Sequence, residues 1–349
     1  MSCIDLTTEQ KRARDGIVRD YYAGNKTITL GGLAGTGKTT LIRELVDLFP
    51  THAVMAFTGK ASSVLRNKGI EAATIHSTIY LPPNEEDSRF RLRPYVDVSG
   101  FIVDEASMVS DTIYRDILSF GKSCIFVGDH GQLEPVGSSF NLMANPQYRL
   151  ETIHRNSGDI ARFAMHLREG NDAGSFVCED GTVEFIEEAS PHLMAEVDQV
   201  ICAFNKSRTK ANAAVRDLRS YYSVVHKGEK VICLRNNRKH GLFNGQQGIV
   251  TKANQTKLTV DSDGMVYAGI PYIPTVFGGG KLPEYNAKDH RALFDHAYCI
   301  TAHKAQGGEF DEVLVLEERS PLWSHARWAY TAASRARKKL IWKLEGAER

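Results

Sequence analysis

The sequence predicts an α/β protein built on parallel sheets, and three of its features carry that prediction. Short apolar or β-branched runs alternate with stretches of helical periodicity, one run feeds a glycine-rich loop that opens a helix, and near Leu150 the alternation begins again. At 349 residues the chain can bury more than one core. Its 43 Lys+Arg against 42 Asp+Glu leave a formal charge of +1, so affinity for a polyanion has to come from local basic grooves. The 6 cysteines (Cys3, Cys124, Cys178, Cys202, Cys233, Cys299) include no C-x-x-C pair, which argues against a disulfide framework or zinc site and for a reducing compartment. MSCIDLTTEQKRARDG lacks an apolar core of signal-peptide length and no run approaches a membrane span, so a soluble, cytoplasmic protein with no membrane partner is expected.

Taken in order, Thr7 and Gln10 fit a capping box at the start of the first helix. The same Gln10 amide can instead read the adenine edge of a nucleotide, and both readings stay open. Thr27 to Leu30 reads as a buried strand, and Leu41, Leu45 and Leu48 recur at helical spacing after it. Between them Gly32, Gly37, Lys38 and Thr39 fit a G-x-x-x-x-G-K-T pattern, whose backbone N–H groups wrap phosphate at a helix N-terminus, with Gly35, Thr36 and Thr40 also expected on the nucleotide. Lys38 is expected on the β and γ phosphates and Thr39 on Mg²⁺. The strand His52 to Phe57 leads to Thr58, Gly59, Lys60 and a helix holding Val64 and Leu65, and Thr74, His76 and Ser77 follow; Thr58, Lys60 and His76 suit a nucleic-acid backbone. From Leu81 to Val98, prolines bracket an acidic run and Arg89-Phe90-Arg91-Leu92-Arg93, which reads as a projecting hairpin or a loop.

Phe101 to Val103 is a third strand and delivers Asp104 and Glu105 at its carboxyl end, where ligands collect in open parallel sheets. One carboxylate there can hold Mg²⁺ and its neighbour can orient the attacking water. Ser123 to Val127 is a fourth strand, followed by Gly128-Asp129 and by Gln132, which is either a γ-phosphate sensor or a turn residue. Past Leu150 come Arg155, a helix with Ile160, Phe163 and Leu167 stopped at Gly170, the strands VEFIE and Gln199 to Phe204, and a helix with Ala211, Val215 and Leu218. From about Val224 to Pro274, strands and turns predict a small inserted β-barrel, and a glycine loop follows at Gly278 to Gly280. The α/β pattern then resumes through HAYCITAHKAQGGEFDEVLVLEE and closes with RWAYTAASRARKKLIWKL.

The segments LTTEQ, GGLAGTGKTT, AFTGKAS, IVDEASMV, VGDHGQLEPVG, ETIHR, ITAHKAQGGEFD and YTAASRAR, in this order, resemble superfamily 1 helicases of the B type, the group containing the RecD subunit and the phage helicase Dda. The resemblance implies two RecA-like P-loop domains in tandem with ATP between them: residues 1–150, with a short hairpin-like insert at 81–98, and residues 151–349, with a small SH3-like β-barrel at about 224–296. It implies that Gln10 contacts adenine, that Asp104 serves metal and Glu105 serves water, and that Gln132, Arg155 and Arg335 contact the γ-phosphate, the arginines reaching across a cleft. It places Glu309, with Gln306 and Gly307, near nucleotide and Thr301 and His303 on the nucleic-acid backbone. Phe90 is expected to act as a wedge at a fork. Ser334, Gly308 and Glu134 stand where relatives usually have threonine, serine and proline. The expectation is a monomeric, ATP- and Mg²⁺-dependent DNA helicase of a bacterial or phage-infected cell, moving 5′ to 3′ on single-stranded DNA and at single-strand/duplex junctions, with single-strand-binding or replication proteins as partners. The alternatives are a translocase that strips proteins from DNA and, further off, a P-loop kinase.

Overall fold

The four apolar runs read in the first half of the chain are strands of one sheet. The computed structural model describes residues 6–81, 90–134, 140–153, 158–262, 264–284, 286, 288–321 and 323–345, and it divides into two compact units, Met1–Ser157 and Gly158–Arg349. In the first unit the order is α1 (Thr8–Tyr22), β1 (Thr27–Gly32), α2 (Lys38–Leu48), β2 (His52–Ala56), α3 (Gly59–Asn67), β3 (Ala73–Thr74), α4 (Ile75–Ile79), β4 (Tyr80–Leu81), β5 (Arg91–Leu92), β6 (Gly100–Asp104), α5 (Asp111–Leu118), β7 (Ser123–Gly128) and β8 (Tyr148–Leu150). Among the described residues the main sheet runs β3-β2-β6-β7-β1-β8 with every pairing parallel.

Side-chain alternation decides which residues go to which face. Ile28, Leu30, Val54, Ile102, Ile125 and Val127 pack with Ile17 of α1, with Leu41, Ile42 and Leu45 of α2 and with Leu65 of α3. Met55, Phe101, Val103, Cys124 and Phe126 point the other way, against Ile75, Ile79 and Ile117 of α4 and α5. Burial on both faces is why these strands read as nearly unbroken apolar runs, and it puts every strand's carboxyl end on one rim. Leu48, the last residue of α2, is 44% exposed and Val64 is 36% exposed, because Leu41, Ile42, Leu45 and Leu65 already fill the faces toward the sheet. β4 and β5 pair antiparallel as the foot of the expected hairpin, whose residues 82–89 lie outside the described ones.

The second unit contains α6 (Asp159–Arg168), β9 (Val183–Ile186), α7 (Pro191–Glu196), β10 (Gln199–Cys202), α8 (Asn205–Leu218), β11 (Lys230–Cys233), β12 (Gln247–Ala253), β13 (Lys257–Ser262), β14 (Met265–Pro271), β15 (Phe294–His296), β16 (Cys299–Thr301), α9 (Ala302–Ala305), β17 (Phe310–Leu316), α10 (His325–Ala333) and β18 (Ala336–Lys343). Its parallel sheet runs β16-β10-β17-β18-β9, and an antiparallel sheet, β14-β13-β12-β11-β15, is inserted between β10 and β16 in sequence. A single bridge, Tyr272 to Ala292, joins the ends of that inserted sheet, and Val231, Val250, Leu258, Val260, Ile270 and Phe294 fill its core. Two mostly buried ion pairs, Arg208 with Asp295 (2.6 Å) and Arg216 with Glu229 (2.8 Å), fix the insert to α8. Ala211, Val215 and Leu218 all lie in α8 as expected, and Leu218, its last residue, is 38% exposed. Among the described residues no helix is long and apolar enough to cross a membrane.

Candidate nucleotide site and nucleic-acid face

On the carboxyl rim of the first sheet, β1 runs into the glycine loop and α2 begins at Lys38. Gly35 and Gly37 both sit at φ +81, a conformation that L side chains avoid. A Cβ on Gly32 would lie 2.8 Å from Thr36 Oγ1 and 2.9 Å from Lys38 Cγ, so the loop closes tightly only with glycine there. Gly37 is the N-cap of α2 and gives no side-chain cap, which leaves the first-turn N–H groups and the positive helix end facing the loop. Thr39 and Thr40 are half-buried in that first turn.

Lys38 folds back over the loop. Its Nζ donates to Gly32 O (2.8 Å) and Leu33 O (2.9 Å) and stands 4.0 Å from Asp129 Oδ2. Asp129, which directly follows β7 and is 1% exposed, accepts from Gly131 N–H (2.8 Å) and from Gln132 Nε2 (3.2 Å). Gln132 is thereby linked to Lys38 through one carboxylate. At the end of β6, Asp104 Oδ1 accepts from Glu105 N–H (2.9 Å). Burial raises the Asp104 carboxyl above its usual range, opposed by that N–H and by the charge of Lys38. Glu105 itself sits at φ 54, and among the described residues only it and Ser220 are non-glycine residues with positive φ. Such strain at the mouth of a strand-end loop is characteristic of functional positions.

Of the two readings of Gln10, the structure bears out the capping box. Its Oε1 accepts from Thr7 N–H (3.0 Å) and its own N–H donates to Thr7 Oγ1 (3.3 Å), completing the capping box, while Nε2 donates to Thr36 O (3.1 Å). The amide therefore ties the first helix to the phosphate loop.

The residues expected on nucleic acid fall at the same rim or just beyond it. Thr58 caps α3, its hydroxyl accepting from Ala61 N–H (3.1 Å), and Lys60 is half-buried in the helix that follows. His76 in α4 lies 5.3 Å from the Tyr80 ring and 5.7 Å from the Phe90 ring, and Phe90 is 44% exposed. Phe90 immediately precedes β5, so it stands at the foot of the hairpin and packs on His76 and Tyr80 there.

In the second unit, Thr301 ends β16 and is 8% exposed, which leaves its hydroxyl little open surface toward a strand. His303 is half-buried, and burial lowers its pKa; its ring lies 6.3 Å from Trp323, itself 5.4 Å from Phe204. Glu309 is exposed. Arg335 departs from the expectation of an outward-reaching cation. It is 5% exposed and donates through Nε to Thr331 O (3.0 Å), through Nη1 to Gly308 O (3.2 Å) and through Nη2 to Ser334 Oγ (2.8 Å), because a buried guanidinium must find acceptors. Ser334, noted only as a departure, is one of those acceptors. Arg155 lies outside the described residues.

Sequence reasoning passed over two groups. Asp129 carried the same signal as Asp104, an acid at the end of an apolar strand. Trp323 carried none, since it approaches His303 only through the fold.

The donor set fits a nucleoside triphosphate with Mg²⁺: positive-φ glycines, an uncapped helix start, a lysine, the Thr39 hydroxyl and the Asp104 carboxylate. A family model for an AAA domain matches residues 5–188, and one for a UvrD-like helicase C-terminal domain matches residues 296–341. The ATP-dependent RecD2 DNA helicase of Deinococcus radiodurans is 28% identical over 370 residues, covering 94% of this chain and 49% of its own. The ATP-dependent DNA helicase dda of Enterobacteria phage T4 is 29% identical over 199 residues, covering 49% of this chain and 44% of its own. The chain thus spans about half the length of these curated relatives. Bacteroides Pif1 bound to single-stranded DNA matches with a TM-score of 0.66 at 20% identity, covering 98% of this chain and 93% of that one. Pif1 helicase from Candida albicans matches with a TM-score of 0.60 at 19% identity, covering 99% and 95%. At such identities the likeness is one of fold, two RecA-like parallel sheets in tandem.

Proposed function

Because the chain belongs to the B-type superfamily 1 helicases, joining an AAA domain to a UvrD-like helicase C-terminal domain, we propose that it is an ATP-dependent motor that moves 5′ to 3′ along single-stranded DNA and separates the duplex ahead. The observation that carries this reading is the loop around Lys38, with Asp129, Gln132, Asp104 and Glu105 gathered on the same rim of one sheet. Lys38 leaves the Gly32 and Leu33 carbonyls to bind the β and γ phosphates, and the N–H groups from Gly35 to Thr40 cradle them. Gln10 holds the loop and faces the base. Thr39 and Asp104 would hold Mg²⁺, which would supply charge neutralisation at the phosphate oxygens. Glu105 orients and deprotonates the attacking water, and Gln132 reports the γ-phosphate through Asp129. Arg155 and Arg335 stabilise γ-phosphoryl charge in the hydrolysing state, for which Arg335 has to exchange its bond to Gly308. Thr58, Lys60, His76 and Phe90 grip or stack on the strand from the first unit; Thr301 and His303 do so from the second, with Thr301 acting through its backbone.

The inserted antiparallel sheet is read as an SH3-like barrel closed by the Tyr272–Ala292 bridge. The direction of travel rests on resemblance to the RecD and Dda group. A translocase that remodels protein–DNA complexes is the second reading, favoured by the shortness of the 81–98 excursion for a strand-separating element. Duplexes carrying a 5′ or a 3′ single-stranded tail, incubated with ATP and Mg²⁺, separate the two. Strand displacement from the 5′-tailed substrate alone supports the helicase reading. Displacement from the 3′-tailed one alone refutes the polarity, and displacement from neither, with hydrolysis intact, leaves the translocase.

A further inference from the structure

The segment that joins β16 to β17 crosses the second unit's sheet. Cys202 pairs with Thr301 and Ile201 pairs with Val315, so Thr301 lies level with Leu316 at the carboxyl edge. β17 starts at Phe310, about 20 Å back along the strand direction. Residues 302–309 therefore run from one edge of the sheet to the other, starting beside His303 and ending at Glu309.

Side chains fasten this crossing at two points. Near its end, Gly308 O accepts from Arg335 Nη1 (3.2 Å). Near its start, Lys304 Nζ donates to Asn244 Oδ1 (2.8 Å), an acceptor on the turn between β11 and β12 of the inserted sheet. Lys304 is half-buried, and burial lowers the pKa of its ammonium, so its one fixed acceptor replaces water that it would otherwise keep.

The turn that offers the acceptor is rigid. Asn244 N–H donates to Asn236 Oδ1 (2.7 Å), Phe243 N–H to Gln246 Oε1 (3.0 Å) and Gly245 N–H to Cys233 O (2.8 Å), which makes the turn an extension of β11. The Arg208–Asp295 and Arg216–Glu229 pairs hold the same sheet to α8. Asn212 adds hydrogen bonds to His296 O (3.2 Å) and Cys299 O (3.0 Å), across the junction of β15 and β16. The acceptor for Lys304 is thus tied to β11, and the insert to α8 and β16.

We infer that the Lys304–Asn244 hydrogen bond is a positioning contact: by anchoring the start of the 302–309 crossing to the inserted sheet, it lets engagement of a nucleic-acid backbone at His303 reach the Arg335 end of the crossing. Neither residue touches nucleotide; both act by placing the crossing. The inference rests on the motor reading of the preceding subsection, and the experiment separates the two.

In the full chain, Lys304→Met, Asn244→Leu, the double variant and Asn244→Asp are assayed for hydrolysis without DNA and with rising oligo(dT), alongside thermal melting. The contact predicts an unchanged basal rate and an unchanged half-saturating DNA concentration. It also predicts a maximal stimulation reduced about tenfold in each single variant and no further in the double. Asn244→Asp, which keeps an acceptor, should restore most of it. Full stimulation in the single variants, losses that multiply in the double, or a basal rate that falls in step would each overturn the inference while leaving the motor reading intact. A wild-type enzyme that oligo(dT) does not stimulate would remove the motor reading, and this one with it.

Discussion

The glycine loop of the first unit and the 302–309 crossing of the second hold their shapes by opposite means. The first is made of backbone: left-handed glycines set its path, and Lys38 closes on two carbonyls of the loop itself. The second is held by side-chain bonds to the rest of its unit, Lys304 to Asn244 and Arg335 to Gly308. A loop built of its own backbone is ready for a ligand whatever the rest of the chain does. One held by distant side chains can change state when they do, which suits a relay. Damage to the first should therefore stop the chemistry and spare strand binding, and damage to the second should alter how chemistry and binding are linked.

Lys38→Ala tests the first half with the largest effect. Hydrolysis should fall by about 10³-fold or more, measured as steady-state phosphate release, while single-strand affinity by fluorescence anisotropy stays near wild type. Loss of both together would mean that the loop is not an independent module. Arg335→Lys comes next. Lysine keeps the charge, but its three donors share one nitrogen and cannot reach acceptors spread over Nε, Nη1 and Nη2, so kcat should drop about 10²-fold with little change in KM for ATP, and the melting temperature should fall by a few degrees for the lost buried bonds. A rise in KM alone would make Arg335 a ground-state ligand. For Asp129→Asn the expected loss is smaller, about tenfold in kcat, because the amide still bonds Gly131 or Gln132 but no longer faces Lys38 with a charge. An unchanged kcat would detach Gln132 from the hydrolytic step.

The smallest effect is one of stability alone. His52 starts β2, at the opposite end from the functional rim, among Tyr21 and Phe49; both ring nitrogens lack partners among the described residues, and burial lowers the ring from 6.5 to about 4. The unfolded chain takes up a proton near 6.5 that the folded chain refuses until about 4. This contribution to stability is therefore complete above 6.5 and is lost as pH falls through that window. His52→Phe should flatten the decline of melting temperature between these values without changing hydrolysis at neutral pH. An equal decline in both proteins would rule out His52 as its source.

The two loops also differ in how far they could be read from the sequence. The glycine pattern is local: Gly32 to Thr39 are contiguous, and the flanking strand and helix are visible in the same few residues. Asp104 and Glu105 were legible for the same reason, as acids ending an apolar run. What stayed hidden was every bond between distant positions: Gln10 to Thr36, Lys38 to Asp129, Arg335 to Gly308, Lys304 to Asn244. Periodicity marks a helix's apolar stripe but not where its packing partner stops, hence the exposed ends at Leu48 and Leu218. The motif ITAHKAQGGEFD was conspicuous, yet only strand register reveals that it crosses a sheet from edge to edge.

The central claim is that hydrolysis at the first loop answers to a strand held elsewhere on the chain. The most direct test is the steady-state rate of ATP hydrolysis by the wild-type chain with Mg²⁺, with and without saturating oligo(dT), at rising salt. The predicted result is stimulation of about tenfold or more that weakens as salt displaces the phosphate contacts. A rate indifferent to single-stranded DNA at every salt concentration would contradict it.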